Sequence, residues 1–197
     1  MLNDEIDSYI SELRQTVSIA NLHYEVWWVF KDKENGSKYI KTLNQYNLFF
    51  QTTIQAHFVA TIISLYRVYE TRKDTYNIQA LINRLENTKF SREKLSELKA
   101  LFTRSKPIWL KVNILRNKVF GHRNNKSTVS EAFEEADIKP SDLKELMELT
   151  KEILNLVSYE WDQSTHAFNL GAESPTKLLL QDLKKYHDLH SKQSRAE

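Results

Sequence analysis

The chain has 197 residues, a formal net charge of +2, 41% hydrophobic and 27% charged residues, three glycines, three prolines and no cysteine. That is the composition of a globular chain rather than a disordered one, and it excludes disulfides, thiolate metal sites and cysteine nucleophiles. With so few breakers between long periodic segments, the expected fold is all-α, a single domain over residues 1–197.

The N-terminal stretch MLNDEIDSYI carries acids early and has no apolar h-region, so no signal peptide is expected. Asn3 or Asp4 caps a first helix whose Ile6, Tyr9, Ile10, Leu13 and Val17 keep the three-four spacing of one buried face. It runs through HYEVWWVF to a turn at Asn35-Gly36-Ser37. A second long helix is predicted from about Lys41 to Thr71. Between Leu48 and Tyr69 its apolar residues lie on nearly every side, so it is expected to be the central, most buried helix. Its most apolar run, Phe58 to Tyr69, is interrupted by Thr61, Ser64 and Arg67 and is too short to cross a bilayer. A cytoplasmic protein with no membrane partner is expected.

NIQALINRLE reads as a short amphipathic helix, and Ser91 as the N-cap of SREKLSELKALF. Pro107 is expected to break or kink that pattern, and a further helix from there to about Phe120 ends at Gly121, a residue suited to closing a helix. NNKST is a loop and SEAFEEAD a solvated acidic helix. Pro140 opens a long helix with a stripe of Leu143, Met147, Leu154, Val157 and Trp161, widened by Leu146 and Ile153. GAESPTKLLL starts a C-terminal helix from about residue 175, with Ser174 as cap and Pro175 at its first position.

The charge is unevenly placed. No acid occurs between Glu97 and Glu131, a gap holding Lys99, Arg104, Lys106, Lys111, Arg116, Lys118, Arg123 and Lys126. Those are eight of the 28 basic residues, leaving 20 bases against 26 acids elsewhere. Concentrated positive charge points to a phosphate or polyanion partner; the plainer reading is a solvated basic helix face. Within the gap stands ILRNKVFGHRNN. Residues six apart on a continuous α-helix diverge by roughly 120°, so Arg116 and His122 converge only if the helix breaks at Gly121. His122 then lies near the negative end of the helix dipole, which favours imidazolium, among basic neighbours that oppose it.

LRNKVFGHRN resembles the signature of the HEPN superfamily (higher eukaryotes and prokaryotes nucleotide-binding): Arg, a polar residue, a few variable residues, then His. Here these are Arg116, Asn117, four residues and His122. With a SLYRVYE helix upstream, the pattern is most similar to the abortive-infection U-type branch, over residues 4 to 165. The resemblance implies a HEPN-like helical bundle that forms a homodimer and brings two motifs together. It also implies metal-independent endoribonuclease activity, without a cofactor, in phage defence or a toxin–antitoxin system, with RNA as substrate and an antitoxin or defence-system protein as partner. His122 would be the general acid/base, Arg116 the phosphate-binding cation, and Asn117 would orient the histidine or a phosphate oxygen. Lys118, Arg123 and Asn124 would contact RNA phosphate or sugar. Some toxins of the superfamily place a modifiable Tyr two residues after the His; Asn124 stands there instead. The alternative is a catalytically silent dimeric helical module that binds a protein or nucleotide.

Other polar residues offer less. Arg67 and Glu70 are a structural pair or line a cleft beside the motif. His57 reads as a satisfied core histidine, His23 as helix surface or packing, and His166 as a loop residue without a readable role. His187 and His190 lack a third metal ligand nearby, so no metal site is expected. Trp27, Trp28, Trp161, Phe30, Phe49 and Phe50 are expected in the core or at a dimer interface.

Overall fold

The computed structural model describes residues 2–121 and 128–193. Among them are eight α-helices and no strand: α1 (Leu2–Lys31), α2 (Lys33–Gln45), α3 (Asn47–Tyr69), α4 (Ile78–Leu85), α5 (Arg92–Leu115), α6 (Val129–Ala136), α7 (Pro140–Asp162) and α8 (Glu173–Gln193). A π-helical turn, Arg116–Gly121, follows α5 directly. The chain forms two compact units: Met1–Ala20 with Thr61–Asn169, and Asn21–Ala60 with Leu170–Glu197. α1 and α3 each contribute to both.

In the first unit the periodic apolar positions become the core. Ile6, Leu13 and Val17 of α1, Ile62 and Leu65 of α3, Leu81 of α4, Leu98, Val112 and Leu115 of α5, and Leu146, Ile153 and Val157 of α7 are all buried. α5 lies along α7, with α4 and α6 packed against it. Pro107 sits inside α5 without ending it, the buried face continuing from Leu101 to Ile108 and Val112. Tertiary packing here outweighs the local cost of proline. Ser91 caps α5 as its sequence indicated. Asn77 caps α4 by accepting from the Ala80 N–H at 2.8 Å, and its amide donates to Arg72 O and Thr75 O, so this buried side chain is satisfied on both sides.

A buried hydroxyl cluster ties α3, α5 and α7. Thr150 donates to Leu146 O at 2.6 Å, which makes Tyr69 the donor in the 2.8 Å Tyr69–Thr150 bond. Burial pushes the Tyr69 phenol up to about 12; the Thr150 and Ser105 hydroxyls, able to turn and donate to a phenolate, pull the other way. After α7 the chain is clamped by Asn155, whose side chain accepts from His166 N and donates to His166 O. His166 then packs edge-on against Phe168, which adopts φ 46°, a left-handed conformation rare for a bulky residue.

In the second unit Val29, Phe30, Tyr39, Phe50 and Leu180 form the core, with Val26, Leu43, Ile54 and Leu183 packed on it. Three helix boundaries differ from the expectation. Asp32 caps α2, accepting from Asn35 N at 3.1 Å, so Asn35-Gly36-Ser37 lies inside the helix rather than in a turn. The expected helix from Lys41 is instead the end of α2, a break at Tyr46, and α3. α8 begins at Glu173, with Ser174 and Pro175 in its first turn; Glu25 Oε2 accepts from the N–H groups of Ala172 (2.6 Å) and Glu173 (3.2 Å), capping it from α1.

The burial of α3 also differs. Leu48 is 80% and Phe49 63% exposed, and only 22% of the helix's most apolar window is buried. By length and composition α3 is apolar enough to cross a membrane. Its second half nevertheless supplies Ile62, Leu65, Val68 and Tyr69 to the first unit's core, as a core helix of a globular protein does.

Candidate functional site

Val112 and Leu115 anchor the end of α5 in the first unit's core, and the helix then widens into the π turn. Such turns hold one more residue per hydrogen-bonded loop than an α-helix and occur frequently at functional sites. The helix therefore does not stop at Phe120; it widens and runs through Gly121. Two tethers act on this turn. The Arg116 guanidinium lies 4.5 Å from the centre of the Tyr66 ring on α3, and Lys118 Nζ is paired with Glu135 on α6. A wider turn lets neighbouring residues reach partners on different helices.

Arg116 is half-buried and Asn117 exposed. Arg116 Nη1 donates to Asn117 Oδ1 at 2.8 Å, and Asn117 Nδ2 donates to Asn113 Oδ1 at 2.8 Å. The array Asn113–Asn117–Arg116–Tyr66 therefore spans one turn of α5, the π turn and α3. Of the five N–H donors of the guanidinium, one is used within the array, and contact with the ring face is chiefly electrostatic. The remaining donors have no partner among the described residues, and a partly exposed guanidinium so held is suited to bidentate contact with a phosphate.

The acidic helix α6 is more than a solvated face. Its Glu135 takes Lys118, while Lys111 Nζ reaches Asp137 O and Asp142 Oδ2, both at 2.9 Å. Burial raises the Asp142 carboxyl, but the bonds from Lys111 and from the Lys139 N–H outweigh it, leaving a net lowering. Two of the eight bases in the acid-free segment are thus neutralised by acids that follow it. α6 itself starts at a capping box, Thr128 and Glu131 bonding reciprocally.

His122, Arg123 and Asn124 lie outside the described residues. Arg67 and Glu70 do not pair with one another; Arg67 is exposed and Glu70 buried. Tyr66, immediately before Arg67, is the α3 residue that meets the motif. Asn113 was legible as a neighbour four residues before Asn117 on one helix. Tyr66 and Glu135 lay in the stretches SLYRVYE and SEAFEEAD, but their contacts with the motif were not legible, because they cross between helices.

His23 and His57 form an unexpected pair in the second unit, with Nδ1 atoms 2.8 Å apart. One ring must donate and the other accept, so the short contact requires at least one neutral imidazole. Burial lowers both, and the charge of His23 lowers His57 further. No group of three or more His, Asp or Glu side chains suited to a metal occurs among the described residues.

A family model described as AbiU2, within the HEPN group, matches residues 3–180. No curated protein and no solved structure matches the chain.

Proposed function

Because the chain belongs to the AbiU2 family of the HEPN superfamily, we propose that it is a metal-independent endoribonuclease of phage defence or a toxin–antitoxin system. The family is one of abortive infection, and its function is nuclease-like. The observation that carries the finer reading is the setting of Arg116: a guanidinium oriented by Tyr66 and Asn117 at a π turn, with donors to spare.

In this reading Arg116 binds the scissile phosphate and stabilises the charge that develops on it. The RNA 2′-OH attacks the adjacent phosphorus. One His122 removes its proton while the His122 of a second copy protonates the departing 5′-oxygen, leaving a 2′,3′-cyclic phosphate. Each proton transfer is typically worth about 10²–10⁴-fold. Asn117, tied to Asn113, holds Arg116 in register, and Lys118, Arg123 and Asn124 contact neighbouring phosphate or sugar. The uncovered half of α3 supports a homodimer: a helix apolar on nearly all sides is usually buried, yet Leu48 and Phe49 are exposed within the protomer. We place the activity in the cytoplasm, held in check by an antitoxin or another defence protein.

The test is incubation of purified protein with RNA in EDTA, beside His122→Ala and Arg116→Ala. Cleavage by the wild type alone supports the reading. Cleavage that survives His122→Ala refutes the site, and none by any protein favours a dimeric binding module.

A further inference from the structure

Among the described residues α8 carries two apolar stripes, one packed in the second unit's core and one more than half exposed. Leu180 is buried with Val29, Phe30, Tyr39 and Phe50, and Leu183 packs on the same core. At 100° per residue, Pro175, Leu178, Leu179, Asp182, Tyr186 and Leu189 fall on a different arc about 100° wide. Leu178, Leu179, Tyr186 and Leu189 are each more than half exposed. Single exposed leucines are ordinary, but four large apolar side chains aligned on one helix make a stripe. The AbiU2 match ends at residue 180, so much of this stripe lies beyond the part shared with the family.

The charges at the stripe select its partner. Asp182 stands on the stripe midway along it and Lys185 flanks its edge one turn on, about 20° outside the arc, both well exposed, with Nζ and Oδ1 3.3 Å apart. If a second α8 packs antiparallel about a two-fold axis between residues 183 and 184, Asp182 faces the partner's Lys185 and Leu178 faces the partner's Leu189. A parallel pairing sets Asp182 against Asp182 and Lys185 against Lys185, which like charges oppose. The antiparallel arrangement also opposes the two helix dipoles favourably, and a surface complementary to itself is what a two-fold interface requires.

We propose that α8 is a self-association surface, packing antiparallel on α8 of a second copy with Asp182–Lys185 pairs across the axis. This contact does not rest on the nuclease reading. One helix pair buries less than the roughly 1,200–2,000 Å² of a stable interface, so it forms in a concentration-dependent way unless another contact reinforces it.

The chain has no cysteine, which makes cross-linking clean. Leu178→Cys/Leu189→Cys, oxidised and run on a non-reducing gel, is expected to give a covalent dimer, while either single variant gives little. The two cysteines are about 16 Å apart along one helix, too far for an intrachain bond. Adding Asp182→Lys should reduce the cross-link at least several-fold, and adding Lys185→Asp with it should restore the cross-link. No covalent dimer from the double-cysteine chain, equal cross-linking by the single variants, or indifference to Asp182→Lys would overturn the proposal.

Discussion

Arg116 is held by two kinds of contact, a hydrogen bond to Asn117 and an aromatic face beneath its charge. The ring contact is worth about 0.5–1 kcal/mol at a partly exposed site. On the proposed function, Tyr66→Leu should therefore weaken RNA binding about two- to five-fold, and Tyr66→Phe, which keeps the ring, should leave it near wild type; equal losses in the two variants would mean that the hydroxyl, not the ring, matters. Titration of the His23–His57 pair supplies a second prediction. Both rings are lowered from the ordinary value by burial, His57 also by His23. As pH falls below about 6.5 the unfolded chain takes up protons that the folded pair resists, so stability is full above that value and lost below it. A melting-temperature series from about pH 7 to pH 5 should fall less steeply for His57→Phe than for wild type. Tyr69 behaves in the opposite direction: held at about 12 when folded, its contribution is full below about pH 10 and is lost as pH rises through 12.

Among the elements, α8 shows how far sequence carries. That a helix starts near Ser174 follows from local composition, but its cap is the Glu25 carboxylate of α1, 147 residues before Ala172, and no local pattern contains that. Glu25→Ala should fray the first turn of α8, costing about 0.5–2 kcal/mol by the usual scale of cap losses, with faster hydrogen exchange at Ala172 and Glu173; unchanged exchange there would contradict the capping role. The same limit explains the other differences. Asp32 and Tyr46 set the ends of α2, and Asn-Gly-Ser, a turn signal by itself, is carried inside a helix because an acid three residues before Asn35 caps it. Pro107 is carried because α5 is buried on both sides of it. The caps at Ser91 and Asn77 and the proline start of α7 depend on adjacent residues alone; Ser91 and Pro140 were legible from the sequence.

At the scale of the whole molecule, periodicity carries the all-α class, and LRNKVFGH carries the family, which the match over residues 3–180 establishes. What periodicity could not show is that α3, apolar on most sides, is left largely uncovered over its first half. An apolar helix reads the same whether its cover is its own chain or another copy. Of the candidate site, Arg116 and Asn117 were named from the motif and the structure brings those two together; the contacts that Tyr66 and Glu135 make with the motif were not legible, because they come from separate helices. The central claim is that His122 of the motif performs the proton transfers of RNA cleavage without metal. The most direct measurement is cleavage of end-labelled RNA in excess EDTA by wild type and His122→Ala, with the new 3′ ends identified. The account predicts cleavage by the wild type alone, leaving 2′,3′-cyclic phosphates; cleavage undiminished in His122→Ala, or abolished in the wild type by EDTA, would contradict it.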